Sequence, residues 1–380
     1  MLFTSPELDD QELQALADIA DLERRLCDQL HEQRPWHGSL RRLAIARVIQ
    51  GSTGIEGYDA LLEDAAAVAV GEEPLTSDQE TRLALKGYRD AMTYVFQLAS
   101  DDAFRYSTQV LKVLHAMMSS YDLRNGPGQW RAGAIYVRQE ETGEILYQGP
   151  EVDQVPVLME ELAATLNGPC GERVIDAAMA HLNLAKIHPF RDGNGRMARC
   201  LQSLVLARGQ DLAPVFLSIE EYLSREKVKY DEVLAQVGRG SWGTERDSRP
   251  WVRFILTTHL RQARTMLRRV RETERLWASI ENLMRRRYLP GRVTPLMFDA
   301  ASGLRVRNAT YRAILKDAGE EPITEQTASR DLQRLVAAGV LKPAGERRGR
   351  SYAGGADLAR LRQELIASRD PRDDSDPFQA

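Results

Sequence analysis

The sequence predicts a mainly α-helical protein with more than one folded unit, and three observations support this prediction. The chain has 380 residues, of which 43% are hydrophobic, and this is enough for two or three domains with their own cores. Apolar residues recur at spacings of three and four along most of the chain, as in amphipathic helices. Alternation at period two is scarce. Disordered and fibrous classes are therefore excluded.

The charge is balanced overall but divided along the chain. Lys plus Arg number 51 against 55 Asp plus Glu, which gives a formal net charge of −4. Residues 261–350 contain twenty basic and ten acidic residues, so this stretch carries +10 and the remaining 290 residues carry −14. The whole-chain charge names no partner, whereas the basic stretch suggests a separate anionic one.

The cysteines and the N-terminal residues indicate where the protein is located and do not indicate a reactive or metal-binding site. Cys27, Cys170 and Cys200 are widely spaced, which predicts neither a disulfide framework nor a zinc site and fits a reducing compartment. The first thirty residues contain acidic residues throughout, unlike a signal peptide. We find no stretch of about 18 uncharged apolar residues and expect a cytoplasmic, soluble protein without a membrane span.

The N-terminal region, residues 1–90, is predicted to be helical. Leu13, Leu16, Ile19 and Leu22 mark a first helix, and a second begins at about Ser39. Gly51, Gly54 and Gly57 lie at the far end of the second helix. Further amphipathic helices are predicted at 79–98 and 106–118, and a loop rich in Asn, Gly and Pro follows.

Residues 134–148 predict a β-hairpin. The segments AIYVRQ and EILYQ lie on either side of Glu141-Thr142-Gly143, which is a turn signal. On its own, this pattern is also compatible with a surface hairpin that has no role.

Residues 174–199 predict two buried helices joined by a loop that can bind an anion. The first helix must end before Pro189, so His188 lies at a helix exit. In the loop, Gly193 and Gly195 allow backbone N–H groups to approach a ligand. The second helix begins at about Asn194, and its N-terminus favours an anion. Arg196 and Arg199 lie near that end, where cations are disfavoured by about 0.3–1 kcal/mol each unless something negative binds.

This segment resembles the signature of the Fic (filamentation induced by cAMP) family, His-Pro-Phe-x-Asp/Glu-Gly-Asn-Gly-Arg-x-x-Arg, and residues 188–199 match it at every position. The resemblance implies a Fic-type helical core over residues 91–245. It also implies transfer of AMP from ATP to a Ser, Thr or Tyr hydroxyl of a target protein. Other nucleotide donors remain open, as does the reverse activity of AMP removal.

The resemblance also implies roles for individual residues. His188 would be the general base, Phe190 the core anchor of the loop and Asp192 the Mg²⁺ ligand. The hairpin would be a flap that aligns the target protein by strand addition. The residues that would contact ATP or its phosphates are Arg191, Gly193, Asn194, Gly195, Arg196, Arg199 and Tyr230, with Tyr222 a further aromatic match near the adenine. The flap residues would be Ile135, Tyr136 and Val137.

A second segment resembles the family's inhibitory motif, Ser/Thr-x-x-x-Glu-Gly/Asn. Ser52, Glu56 and Gly57 occupy its three defined positions. A glutamate that reaches Arg199 would form a charge-assisted pair in the place of a γ-phosphate. We therefore expect self-inhibition by Glu56, within residues 52–57. Gly54 weakens this helix by roughly 1 kcal/mol relative to Ala, which predicts a labile brake.

The C-terminal third predicts basic linking helices at 246–290 and a small domain at 291–365. A helix with Thr324 as its N-cap, followed by short strands near 341 and 352, resembles a winged helix. We expect residues 366–380 to form a disordered tail. The candidate nucleic-acid contacts are Gln326, Arg330, Arg334, Arg347 and Arg348.

The sequence also leaves alternatives open. Winged helices dock proteins as well as DNA, and a solvated basic face explains the same residues. A rival to the enzyme is a DNA-binding regulator whose Fic core senses nucleotide. The intact His188 favours catalysis over such a sensor. A homodimer is compatible with the family resemblance.

Overall fold

The computed structural model of the protein describes residues 1–138, 143, 145–169, 171–210, 212–318, 320–345 and 350–379. The structure is mainly helical, as predicted. The helices are α1 (Asp10–Leu30), α2 (His37–Ile55), α3 (Leu62–Ala69), α4 (Gln79–Ala99), α5 (Thr108–Ser119), α6 (Val155–Leu166), α7 (Arg173–Ile187), α8 (Asn194–Ala207), α9 (Glu220–Arg225), α10 (Lys227–Gly238), α11 (Arg249–Arg286), α12 (Thr294–Ala301), α13 (Asn308–Asp317), α14 (Glu325–Ala337) and α15 (Ala356–Ala367). The strands are β1 (Tyr136–Arg138), β2 (Ile145–Gln148), β3 (Gly240–Ser241), β4 (Leu341–Ala344) and β5 (Ser351–Gly354).

The helices α7 and α8 form the centre of the core. They pack against each other, and α4, α5 and α6 surround them. Both are buried on nearly all sides, as expected for helices that lack a wide polar face. The loop between them is held at the centre of the molecule, and this is the segment that contains His188 and Asp192.

Helix α11 is one continuous element of 38 residues, whereas the sequence predicts several linking helices at 246–290. Pro250 lies in its first turn, and the rest of its sequence contains no Gly or Pro. A buried stripe runs along it from Trp251 to Met284, so nothing in the sequence interrupts the helix. Its first half packs against α1, where Arg249 and Arg253 pair with Asp9 and Glu12.

The predicted hairpin is formed by β1 and β2, which pair antiparallel with Val137 opposite Tyr147. Glu141 and Thr142 of the predicted turn lie outside the described residues. A third strand, β3, pairs in parallel with β2, so β2 is central and β1 lies at an edge. Strand β3 was not predicted, because its two residues, Gly240 and Ser241, are too few to show a periodic pattern.

The C-terminal region contains three short helices, α12 to α14, followed by the antiparallel pair β4–β5. Thr324 caps α14, since its side chain accepts a hydrogen bond from the Thr327 N–H. The element order agrees with the predicted one. Classification as a winged helix stays a prediction. Within the described ranges, no helix combines the length and the apolar character needed to cross a membrane.

The end of the chain differs from the predicted disordered tail at 366–380. Helix α15 continues to Ala367, and the described residues after it contact α11. Arg369 pairs with Glu272 at 2.7 Å, and Arg264 pairs with Asp373 at 2.9 Å. Charged residues on both sides thus pair the end of the chain with α11.

Candidate active site

The backbone geometry of His188 fixes its imidazole. The residue ends α7 in the left-handed conformation, with φ 51° and ψ 57°, and Pro189 prevents the helix from continuing. Its Nδ1–H donates to the Ala185 carbonyl at 3.1 Å, which leaves Nε2 as the acceptor. Burial lowers the pKa of His188, while the Ala185 bond and Glu56 oppose this shift. The ring is therefore neutral near pH 7 and available as a base.

The loop after His188 is held by Asn194. Its Oδ1 accepts from the Phe190 N–H at 2.8 Å, and its Nδ2 donates to the Phe190 carbonyl at 2.9 Å. Gly193 adopts a positive φ of 75°, which favours glycine. The sequence analysis placed Asn194 in the phosphate cradle, but its side chain is directed at the loop. Only its backbone remains for a phosphate.

His115 is a residue that the sequence analysis missed. Its ring stacks on Phe190 with centroids 3.7 Å apart and an interplanar angle of 4°. Its Nε2–H donates to the Asp192 carbonyl at 2.9 Å, and its Nδ1 accepts from the Gly128 N–H at 2.9 Å. Burial lowers the pKa of His115 to about 4, so it stays neutral. His115 lies 77 positions before Asp192, and no local motif could reveal that contact.

Arg199 connects the loop to the predicted inhibitory segment. Its Nε donates to Ser52 Oγ at 2.9 Å, and its Nη2 donates to the Ser52 carbonyl at 2.9 Å and to Glu56 Oε1 at 2.7 Å. The Arg199 side chain is 1% exposed. Its Nη1 has no hydrogen-bond partner among the described residues. One buried donor is thus left for a further acceptor.

Arg196 lies one turn earlier, in an aromatic setting. Its Nη1 donates to the Tyr121 hydroxyl at 3.0 Å, and its guanidinium lies 5.3 Å from the centroid of Tyr58. The Tyr121 hydroxyl donates to that of Tyr58 at 3.0 Å. Arg196 Nε is buried, and the described part of the chain offers it no partner. Arg196 and Arg199 therefore both retain free donors.

The Glu56 carboxylate lies over the N-terminus of α8. A Cβ built on Gly195 would collide with Glu56 Oε1, so only glycine leaves room for this approach. Burial alone would raise the pKa of Glu56, but the charge and hydrogen bond of Arg199 lower it. Glu56 is therefore ionised, and an anion occupies the place that the helix N-terminus favours.

Asp192 fits a metal ion only as a single protein ligand. Its side chain is 47% exposed, with Oδ2 3.7 Å from Arg196 Nη2. The Asn125 amide lies 3.4 Å from the same oxygen. A search of the described residues finds no group of three or more metal-ligating side chains. Mg²⁺ is commonly held by one or two carboxylates together with substrate phosphates, and Asp192 is compatible with that mode.

Two predicted ATP contacts, Arg191 and Tyr230, are bonded to other parts of the chain. Arg191 is exposed, and its Nη1 donates to the Arg124 carbonyl at 3.1 Å. Tyr230 is 3% exposed, and its hydroxyl lies 2.9 Å from His181 Nε2. Burial raises the pKa of Tyr230 to about 12. Tyr222 is likewise buried, and its hydroxyl accepts from Arg261. The two tyrosines are therefore part of the buried core, where Tyr230 also lies near Arg199.

The predicted flap adjoins His188. Tyr147 of β2 is buried, and its hydroxyl donates to the Lys186 carbonyl at 2.7 Å. Arg131 Nε donates to the His188 carbonyl at 3.0 Å. The sequence analysis did not identify either contact. Ile135 accepts from the Gly149 N–H through its carbonyl at 3.2 Å, and Tyr136 on edge strand β1 is 41% exposed. Val137 is partly buried.

The candidate nucleic-acid contacts are separate from this site. Gln326, Arg330 and Arg334 are exposed on α14. Arg347 and Arg348 lie outside the described residues. The exposed positions leave that face of α14 accessible to a partner.

The chain is similar in sequence to curated proteins. The chain is 29% identical over 266 residues to "Protein adenylyltransferase Fic" of Drosophila yakuba, and the match covers 65% of this chain and 46% of that protein. The protein of the same name from Aedes aegypti is 29% identical over 216 residues, covering 54% of this chain and 38% of that protein. The chain thus spans less than half the length of these curated relatives.

Solved structures share the fold. A Fic family protein from Desulfovibrio desulfuricans G20 superposes with a TM-score of 0.58 at 21% identity, covering 93% of this chain and 99% of that one. Fic-1 from C. elegans gives 0.51 at 20% identity, covering 67% and 72%. Residues 105–206 match the Fic/DOC family, and this range contains His188, Asp192 and both arginines. Residues 105–206 are therefore similar to the Fic/DOC family domain.

Proposed function

We propose that the protein is an adenylyltransferase that transfers AMP from ATP to a Ser, Thr or Tyr hydroxyl of a target protein. One observation supports this most strongly. A neutral His188 with a free Nε2 lies at one end of the loop, and unpartnered donors of Arg196 and Arg199 lie at the other. This pairs a base for a hydroxyl with donors for a phosphate chain.

The reaction follows from these positions. The hydroxyl oxygen of the target attacks the α-phosphorus of ATP, and His188 Nε2 takes the hydroxyl proton. The bond from the α-phosphorus to the bridging oxygen breaks, and pyrophosphate leaves with the electron pair. Arg196 and Arg199 stabilise the charge on the leaving group. Asp192 would hold Mg²⁺, which neutralises phosphate charge when bound.

We further propose that Glu56 inhibits this reaction. Its carboxylate binds Arg199 Nη2 and lies over the α8 N-terminus, where the terminal phosphate would otherwise bind. An ATP molecule would then be held in an unreactive position, because Arg199 could not reach the γ-phosphate. The contacts of Ser52 with the same guanidinium hold α2 in register with α8.

The test is labelling with radioactive ATP. Glu56→Gly removes the carboxylate, and we expect auto-adenylylation at least tenfold above wild type. Glu56→Gly with His188→Ala should be silent, because the base is lost. Asp59→Ala, an exposed change three residues on, is the control and should label as wild type does. Equal labelling of wild type and Glu56→Gly would refute inhibition, and labelling that survives His188→Ala would refute the proposed base.

For the C-terminal region we propose a nucleic-acid partner. The exposed positions of Gln326, Arg330 and Arg334 on α14 and the +10 charge of 261–350 support it. A gel shift with duplex DNA at about 50 mM and about 200 mM salt tests it, because phosphate contacts weaken steeply with salt. Absence of a salt-sensitive complex would favour a protein partner.

A further inference from the structure

A cleft of about 280 Å³ lies on the face of the molecule formed by α2, α11 and α15. Leu40 and Leu43 of α2 and Phe298 of α12 contribute apolar wall. The cleft lies apart from the loop of residues 188–199, none of which lines it. Its polar lining is dominated by arginines, namely Arg47, Arg268, Arg269, Arg362, Arg369 and Arg372.

The carboxylates near the cleft do not balance these arginines. Glu272 pairs with Arg369 at 2.7 Å and lies 3.4 Å from Arg268. Glu221, just outside the lining, pairs with Arg269 and lies 4.0 Å from Arg47. Within the described ranges, neither Arg362 nor Arg372 has an ion pair, and Arg268 Nε is buried without a hydrogen-bond partner. Two carboxylates thus face six guanidinium groups.

The excess positive charge lowers the pKa of the buried arginines that line the cleft. Burial, together with the charges of Arg269 and Arg369, lowers the pKa of Arg47 to about 10 against the opposing charges of Glu221 and Glu272. The pKa of Arg268 is lowered by burial and by its arginine neighbours Arg369, Arg372 and Arg269, against the charge of Glu272. Guanidinium groups forced together in this way are stabilised by an anion between them.

Two carboxylates at the acidic end of the chain bind arginines outside the cleft. Asp373 pairs with Arg264 at 2.9 Å, and Asp370 lies 3.9 Å from Arg271. Both arginines are outside the cleft lining. The carboxylates of Asp370 and Asp373 are therefore engaged on the neighbouring surface of α11.

We propose that this cleft binds a small anion with several negative charges, of the diphosphate or phosphate-ester class. Planar guanidinium groups bind phosphate oxygens in a bidentate manner, which a lysine cluster cannot do. The volume lies at the lower limit of small-molecule sites, so a diphosphate fits and a large ligand does not. The proposal does not depend on the adenylyltransferase activity.

The ligand would also contact the helix that carries Glu56. Arg47 is on α2, two turns before Glu56, whereas Arg362 is on α15 and Arg268 on α11. An anion held between them links α2 to α11 and α15. Its binding free energy would therefore favour the arrangement in which α2 is docked.

Isothermal titration calorimetry with inorganic pyrophosphate on the full chain tests the site. The cleft variant is Arg362→Ala with Arg372→Ala, both exposed and remote from the loop. The control, Arg360→Ala with Arg24→Ala, removes two charges at positions 63% and 70% exposed. We expect saturable binding by wild type and control and at least tenfold weaker binding by the cleft variant.

Two outcomes would overturn the proposal, namely no saturable binding by wild type, or equal affinities for the cleft variant and the control. Pyrophosphate bound at the active site would be unaffected by the cleft variant and would give the second outcome. Unchanged thermal unfolding of the cleft variant, measured without ligand, shows that its fold is intact. Labelling with radioactive ATP is measured separately for the Glu56→Gly protein with and without the two cleft substitutions. This measurement tests the proposed reaction independently of anion binding in the cleft.

Discussion

At the scale of single residues, the site depends on side chains that hold the loop as well as those that would react. Asn194 bonds the backbone of Phe190 and His115 bonds the carbonyl of Asp192, and together they leave the loop little freedom. Buried and satisfied polar contacts of this kind fix one geometry. His188 is then placed by its own backbone and by the Ala185 carbonyl.

The protonation of His188 leads to a pH prediction. Because burial lowers its pKa below the ordinary 6.5, the base form should persist in mildly acidic solution. In the Glu56→Gly protein we expect the acid limb of kcat/KM for labelling to lie below pH 6.5. Loss of the Glu56 charge, which opposes the lowering, should move the limb further down. A limb above pH 7 would contradict this assignment of the base.

His115 provides a second prediction at this scale. His115→Ala removes a fully buried ring that stacks on Phe190, together with its hydrogen bonds to the Asp192 carbonyl and the Gly128 N–H. We expect a loss of roughly 2–5 kcal/mol in the free energy of unfolding, measured by urea denaturation. His31→Ala, at an exposed position, should change it by less than about 0.5 kcal/mol.

At the scale of elements, the features predicted best are those whose functional residues are adjacent in the sequence. Residues 188–199 form one loop and one helix start, so a contiguous motif was enough to predict the candidate site. Arg131 and Tyr147 act on the same loop from 57 and 39 residues away, and they have no local signature. The parallel strand β3 was missed for the same reason, since its pairing with β2 depends on the fold.

Two glycines on α2 provide a matched test at this scale. A Cβ on Gly54 would lie 3.7 Å from Ser224 Oγ, an ordinary contact, whereas a Cβ on Gly51 would lie 2.7 Å from the Glu220 carbonyl oxygen. Gly54→Ala should therefore stabilise the protein by about 0.4–1 kcal/mol and lower residual labelling. Gly51→Ala should destabilise it by about 1–3 kcal/mol and raise labelling. Thermal unfolding and labelling check both, and shifts in the same direction would contradict the packing described for α2.

At the scale of the whole molecule, a buried ion pair connects α2 to the C-terminal region. Arg42 of α2 donates to Asp299 of α12, and each side chain is 3% exposed. Arg305 adds a second link at 2.9 Å to Glu63 of α3. The composition of the C-terminal region suggested a separate module, and no sequence pattern indicated that its first helix, α12, is bonded to α2.

Breaking that pair should affect both stability and labelling. Arg42→Met alone leaves Asp299 buried without a partner, and we expect a loss of about 3–5 kcal/mol in the free energy of unfolding. It should also raise labelling, because α2 loses an anchor. Adding Asp299→Leu should recover most of the stability. If urea denaturation shows the double variant to be no more stable than Arg42→Met, the loss of stability is not caused by breaking this ion pair.

Helix α11 is long enough to pack against both the core and the C-terminal region, and this limits where the polypeptide can be cut into separately folded parts. Trp251, two residues into the helix, is completely buried and donates to the Ala178 carbonyl of α7 at 2.7 Å. Near the other end, Met284 is buried beside the C-terminal helices. Ending the polypeptide at residue 245 would leave a hole beside α7 rather than a free-standing catalytic unit. Because α11 packs against both, the regions before and after residue 245 cannot be separated by truncation or gene fusion at that residue. Evolution could exchange either region only together with α11.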